Sequence, residues 1–265
     1  MIKKISSLQN SLVKNILLLK SKSRERKKQN IFILEGIREM SLAINGGYKL
    51  NTILFYKALI SIEKLNSIVT DTSVEFIEVS KEVYQKIAFR GTTEGIIAIV
   101  QTKEFSLDAI NFSNKNPLIL VAEAPEKPGN IGALLRTADA ANIDAVLIAN
   151  PITDMFNPNI IRSSVGCLFT NQIALGSTSE IIAFFKRKNI HPFAAALHKE
   201  SENYLEQDFT RASAIIVGTE ATGLSDEWLQ FSKKIMIPME GKIDSLNVSV
   251  SASILIFEAK RQKRR

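Results

Sequence analysis

The residues best equipped for chemistry sit in three polar segments of the second half of the chain, each beside an apolar run. The first reads Glu126-Lys127-Pro128-Gly129-Asn130-Ile131-Gly132-Ala133-Leu134-Leu135-Arg136-Thr137-Ala138. Ile131, Leu134, Leu135 and Ala138 recur at i, i+3, i+4 and i+7, which predicts a helix burying that face. Asn130 stands where a cap for that helix belongs. Arg136 falls off the apolar stripe, so its guanidinium is free to face a cleft. The second segment, Gly218-Thr219-Glu220-Ala221-Thr222-Gly223-Leu224-Ser225, follows the strand pattern Ala214-Ile215-Ile216-Val217. Its glycines have the spacing of a phosphate loop. Leu224 replaces the lysine such a loop needs, and Glu220 puts a carboxylate where an anion would lie, so a triphosphate is a poor ligand. A carboxylate in a glycine-rich loop suits a cationic or donor-rich ligand. In the third segment a strand ends at Pro238, a polar loop follows, and Ser245-Leu246-Asn247 opens the last helix. Taken singly, each segment also reads as ordinary structure: a helix cap, a surface arginine, an N-cap at Ser245 or Asn247.

Other chemistries are poorly supplied. Cys167 is the single cysteine, which excludes an intrachain disulfide and a cysteine-based metal cluster. It reads as a small buried hydrophobe. His191 and His198 stand seven apart and belong to no His-Glu-x-x-His pattern, so no metal site is expected. No two glycines stand two apart, so the dinucleotide fingerprint is absent and a nicotinamide-linked enzyme is disfavoured.

The elements that must position these segments alternate along the chain. Helical periodicity covers residues 10–22, and Ile31-Phe32-Ile33-Leu34 is a short buried-strand pattern. A helix through Ile37, Met40 and Ile44 follows. Strands are expected at 52–56, 74–79 and 95–100, with helices at 60–68 and 82–88 between them. Turn formers then crowd residues 111–117, marking a boundary between a first domain at 1–105 and a second at 115–265. The second has strand candidates at 118–123, 145–149, 192–197, 214–218 and 234–237, and a last helix from Val248. Both domains read as α/β.

The net charge of +7 favours a polyanionic partner. Lys14, Lys20, Lys22, Arg24, Arg26, Lys27 and Lys28 crowd one stretch with only Glu25 opposing, and the tail is also basic. Phosphate contact is expected at that first cluster. No apolar run approaches the ~20 residues of a membrane helix, and the N-terminus lacks signal-peptide features. A cytoplasmic protein without membrane contact is the expectation.

In order and spacing, the three segments resemble the signature motifs of the SpoU family of RNA 2′-O-ribose methyltransferases, of the SPOUT superfamily. The first is matched by Asn130, Gly132 and Arg136; the second by Gly218, Glu220 and Gly223; the third by Pro238, Ser245, Leu246 and Asn247. An intermediate family feature is matched by Asn157-Pro158, Arg162, Ser163-Ser164 and Gly166. Ile5-Ser6-Ser7 with Asn10, and the stretch from Phe32 to Arg38, look like the family's N-terminal RNA-binding domain. The resemblance implies a small N-terminal α/β RNA-binding domain, a C-terminal α/β domain with a deep trefoil knot, and a homodimer. It further implies S-adenosylmethionine held by the backbone at Gly218, Ile237, Met239 and Leu246, with Arg136, Asn130, Glu220, Ser245 and Asn247 as catalytic candidates. Family models make Arg136 a base. An arginine stays protonated in proteins, so its expected role is to orient the ribose hydroxyl and neighbouring phosphate and to stabilise the developing oxyanion. RNA contacts are expected at Arg24, Arg26, Lys27, Lys28, Arg38 and Arg162. A separate RNA-binding domain favours ribosomal over transfer RNA. Alternatives are a transfer RNA methyltransferase and a catalytically silent RNA-binding ribosome-assembly protein.

Overall fold

The structure, a computed structural model, describes residues 2–89, 94–219 and 222–264. Two compact units account for them. Unit 1 comprises Met1–Lys103 and Asp154–Thr170; unit 2 comprises Glu104–Thr153 and Asn171–Arg265. Residues 154–170, which the sequence reading put with the second domain, therefore cluster with unit 1.

In unit 1 the order is β1 (Lys3–Ile5), α1 (Ser11–Ser21), α2 (Ser23–Gln29), β2 (Ile31–Glu35), α3 (Ile37–Asn45), β3 (Leu50–Phe55), α4 (Ile62–Ile68), β4 (Glu75–Val79), α5 (Lys81–Ile87) and β5 (Ile96–Gln101). The sheet order is β1-β4-β3-β5-β2. Neighbours β1, β4 and β3 run parallel, and β5 is antiparallel to both β3 and β2. The apolar run of β5 follows from its place: it is flanked by strands on both edges, and Ile96–Val100 are buried. Val13, Ile16 and Leu19 of α1 pack with Ile33, Leu54, Ile77 and Ile97 of the sheet. Asn10 caps α1, its side chain accepting from Leu12 N at 2.9 Å. The short strand β1 was not foreseen, because only Ile5 of its three residues is buried.

The basic stretch is partly helical, and one of its charges is internal. Arg26 is 3% exposed. Its Nε donates to Asp154 Oδ2 at 2.6 Å and its Nη1 to Leu19 O at 2.6 Å. This corrects the expectation that Arg26 meets RNA: a guanidinium already desolvated and paired has no fork left for a phosphate. Arg24, Lys27 and Lys28 are exposed, as are Arg38 and Arg162. Lys20 turns inward, donating to Ile87 O and Ala88 O at 2.5 and 3.0 Å. The returning segment supplies Phe156, stacked on Phe32 at 4.6 Å between centroids, and Phe169, edge-on to Tyr48 at 5.0 Å. Cys167 is buried there, as read from the sequence.

Unit 2 contains β6 (Leu118–Glu123), α6 (Pro128–Ala140), β7 (Ala145–Ala149), β8 (Ile173–Gly176), α8 (Thr178–Lys188), β9 (His191–Ala195), β10 (Glu202–Asn203), β11 (Ser213–Val217), α9 (Asp226–Phe231), β12 (Lys233–Met236) and α10 (Val248–Lys263); α7 (Pro158–Ser163) lies in the segment clustered with unit 1. The strand order is β10-β12-β9-β11-β6-β7-β8, and every pairing is parallel. Helices must cover both faces of such a sheet, so its central strands are apolar throughout. Residues of β6, β7 and β11 are all buried. Phe184, Phe185 and Trp228 from α8 and α9 pack in one core cluster with Ile119, Val121, Leu147 and Ile216 of the sheet. The α10 helix packs against α6, β6 and β11. Ser177 and Glu180 form a capping box at the start of α8. Since all the strands are parallel, their carboxyl ends share one edge, where ligands of open α/β sheets bind.

Candidate active site

Three chain segments meet at that edge: the ends of β9 and β11, the 218–225 loop, and the loop from β12 into α10. They line a cleft of about 610 Å³. Its walls include Leu197, Leu224, Ile237, Met239 and Leu246, with Gly218, Thr219, Ser245 and Asn247 supplying polar groups. The size lies within the ~300–1,000 Å³ of small-molecule sites.

Hydrogen bonds join the two ends of the loop after β11. Thr219 N donates to Gly223 O at 3.1 Å and Gly223 N to Thr219 O at 3.0 Å. Thr222 N donates to Thr219 Oγ1 at 3.0 Å, and the two threonine hydroxyls are 2.8 Å apart. Gly223 has φ +69°. A Cβ at Gly218 would overlap the carbonyl of Gly223 and lie 2.6 Å from Leu224 N, so this position admits only glycine. At its far end the loop is moored by Glu123, the last residue of β6. Glu123 is 6% exposed. It accepts from Ser225 N at 2.8 Å, Ser225 Oγ at 2.7 Å and Thr178 Oγ1 at 3.2 Å, with Asn150 Nδ2 at 3.5 Å. Hydrogen-bond donors therefore satisfy this buried carboxylate.

Beside the cleft a smaller hollow of about 80 Å³ is lined by Glu126, Lys127, Asn130, Gly218 and Val248. Asn247 caps α10, its Oδ1 accepting from Ser249 N at 2.9 Å. Its Nδ2 donates to Asn130 Oδ1 at 3.3 Å. Two residues 117 apart in sequence thus meet at the mouth. The expectation that Asn130 caps α6 is corrected. The helix begins two residues earlier at Pro128, with Lys127 at the cap position, and Asn130 N donates to Lys127 O at 3.0 Å. Proline at the first helical position was the available signal.

Sequence comparison bears on the same segments. Residues 117–257 match the SpoU rRNA Methylase family, and residues 10–98 match the MRM3-like substrate binding domain. The chain belongs to the SpoU methylase family. A solved RNA 2′-O ribose methyltransferase is 36% identical, covering 99% of this chain and 100% of that one, with a TM-score of 0.83. An rRNA methyltransferase from Sinorhizobium meliloti, solved with bound AdoMet, superposes at a TM-score of 0.89 with 26% identity, covering 98% of each chain. The 23S rRNA (guanosine(2553)-2′-O)-methyltransferase of Bacillus subtilis is 28% identical over 96% of this chain and 98% of its own length.

Of the residues singled out by the SpoU motifs, Gly218, Ile237, Met239, Leu246, Ser245 and Asn247 line one cleft, and Asn130 lines the adjoining hollow. Ser245 Oγ lies 3.3 Å from Asp244 Oδ1. Glu220 lies outside the described residues. Arg136 lines neither space and is exposed on α6. Thr137, its neighbour, ties α6 to α10 through Ser253 Oγ at 2.8 Å. Sequence reasoning missed the anchoring role of Glu123 and the presence of His198 in the cleft wall. A charged residue closing a wholly apolar strand was a legible signal for the first. Nothing in the spacing of His198 pointed to the second.

Proposed function

We propose that this chain transfers a methyl group from S-adenosylmethionine to a ribose 2′-hydroxyl of ribosomal RNA. The observation that carries the reading is the convergence of Gly218, Ile237, Met239 and Leu246 on one cleft. The donor set suits the cofactor. Apolar walls take an adenine, and the close backbone approach at Gly218 leaves peptide groups for its polar edge. The cofactor supplies an electrophilic methyl on a sulfonium. When bound in that cleft, the cofactor would make this methyl available for in-line transfer to the 2′-oxygen, with the hydroxyl proton passing to solvent. Asn130, Ser245 and Asn247 orient the ribose, and Arg136 stabilises charge on the 2′-oxygen and its neighbouring phosphate. Glu220 completes this set of catalytic candidates.

Arg136 reaches a cleft through a second copy of the chain. The supporting observation is the exposed apolar stripe of α10, with Val250 46% and Phe257 49% exposed, on the helix that packs against α6. A homodimer covers that stripe and brings Arg136 to its partner's cleft. The trefoil knot belongs to the same reading, the 218–225 and 237–247 loops being its cofactor-bearing parts. Exposed Arg24, Lys27, Lys28, Arg38 and Arg162 contact RNA phosphates. The full-length match to a ribosomal RNA methyltransferase and the substrate-binding match over residues 10–98 favour ribosomal RNA. Calorimetry with adenosylhomocysteine, followed by mapping of 2′-O-methyl sites in RNA with and without the gene, tests the proposal. Absence of cofactor heat would leave an RNA-binding protein without this activity.

A further inference from the structure

Unit 1 holds another cavity, of about 430 Å³, from which the methyl-transfer reading draws only Arg38 and Arg162. Ile33, Pro158 and Ile161 give it an apolar floor, and Phe89 forms an aromatic wall. Lys20 Nζ lies 4.0 Å from the Phe89 ring centroid, which fixes the ring's orientation. Glu35, Glu39 and Glu94 also line the cavity. Glu35 accepts from Phe89 N at 2.5 Å, and Glu94 accepts from Ile37 N at the start of α3. Glu39 and Glu94 close over Gly36, whose φ of +107° favours glycine. Burial raises the carboxyl pKa of Glu39, and the charges of Glu94 and Glu35 push it the same way.

The start of α3 already carries two carboxylates, so a phosphate is excluded from that end of the cavity and left to Arg38 and Arg162. The lining also disfavours a cationic ligand, because Arg38 and Arg162 line the same cavity and are exposed. What remains is a flat, neutral ring with N–H donors on its edge, attached to an anionic backbone that the arginines take. We propose that this cavity receives one unpaired guanine of the RNA, its base against Phe89 and the apolar floor, its N1–H and 2-amino group donating to the Glu39 carboxylate. Guanine is the base with two adjacent donors on its Watson–Crick edge; uracil places its single donor between two acceptors and leaves the carboxylate opposed by lone pairs. Single-stranded RNA is read in this way, by stacking and by edge hydrogen bonds. The inference rests on RNA being the partner of unit 1 and names the base that unit selects.

The test is calorimetric titration of the full chain with guanosine 5′-monophosphate, with adenosylhomocysteine saturating the unit 2 cleft. Inosine 5′-monophosphate, which differs only by lacking the 2-amino group, should bind about tenfold more weakly, and uridine 5′-monophosphate more weakly still. The Glu39→Gln chain should lose the guanosine-over-inosine preference while keeping its affinity for adenosylhomocysteine. Because the inosine comparison uses unaltered protein, it is immune to misfolding of a variant. Equal affinity for the three nucleotides, no guanosine binding at millimolar concentration, or an unchanged preference in Glu39→Gln overturns the pocket. Salt-sensitive RNA binding that survives alongside such a result leaves the RNA reading standing and rejects the pocket alone. Loss of RNA binding by the unaltered chain overturns the parent reading instead.

Discussion

Replacing Glu123 with glutamine isolates the mooring of the 218–225 loop. The carboxylate offers Oε1 to Ser225 Oγ, Thr178 Oγ1 and Asn150 Nδ2, and Oε2 to Ser225 N. Glutamine has one carbonyl oxygen. Placed in the Oε1 position, it leaves its NH₂ facing the Ser225 N–H, donor against donor. A hydrogen bond to a charged group contributes about 1.5–3 kcal/mol, and the bonds that remain become neutral ones of roughly half the strength. Removing a desolvated charge offsets part of this. The expected net loss is about 2–3 kcal/mol. Trp228 is the single tryptophan and is fully buried in unit 2, so its fluorescence follows the unfolding of this unit. With a urea m-value of about 2 kcal/mol/M, the midpoint should fall by roughly 1–1.5 M. Ser225→Ala in the same background should be non-additive by about 1 kcal/mol, because glutamine already weakens the Ser225 Oγ hydrogen bond that alanine removes. Adenosylhomocysteine affinity should fall with the loosened loop. A midpoint within about 0.2 M of the unaltered chain, which is under about 0.5 kcal/mol, or strict additivity with Ser225→Ala, refutes the mooring argument.

Three further outcomes are expected. Gly218→Ala forces a Cβ into the Gly223 carbonyl, so calorimetry should detect no adenosylhomocysteine binding even where the chain remains folded. Arg26→Ala strands Asp154 in a buried site and should destabilise unit 1 by about 3–5 kcal/mol, whereas Lys27→Ala with Lys28→Ala should change stability by less than about 1 kcal/mol and reduce the salt slope of RNA binding by about 2; equal destabilisation by the two changes would contradict the burial difference. For Glu39, burial raises the folded-state pKa above the unfolded value. The folded state therefore holds its proton longer, and stability is full below the unfolded pKa of about 4.5 and declines as pH rises through the folded value. Glu39→Gln should consequently make unit 1 more stable at pH 7, with the advantage vanishing near pH 4; a loss at pH 7 would mean that the carboxylate is stabilising.

The sequence was most legible where burial is continuous. The apolar runs of β6, β7 and β11 stand out because a parallel sheet covered on both faces needs them, and the stripe of Ile131, Leu134, Leu135 and Ala138 marked the inner face of α6. The cleft residues were located by motif order, since the backbone positions that line it share no side-chain type. Arg26 was misread for a physical reason. Its neighbours Arg24, Lys27 and Lys28 have the same chemistry, and the partner that makes it internal is 128 residues away. Strand β8 and helix α8 were passed over. The former is four residues long, and the cap of the latter, Ser177 with Glu180, is a local signal that periodicity does not detect. Arg136 is the candidate that motif order named and that lines neither the cleft nor the adjoining hollow.

The clustering of Asp154–Thr170 with Met1–Lys103 has a consequence for synthesis on the ribosome. When Lys103 has been added, Arg26 has no Asp154 to meet, and Phe32 and Tyr48 have no Phe156 or Phe169 to pack against. About 67 more residues must be made before Thr170 completes the set, a wait of roughly 3–13 s at about 5–20 residues per second. During that interval the nascent first unit exposes a ring cluster and a guanidinium without its carboxylate. An N-terminal half expressed alone would keep them exposed for good, so nascent-chain protease resistance should rise in two steps, the second only after residue 170 has cleared the exit tunnel.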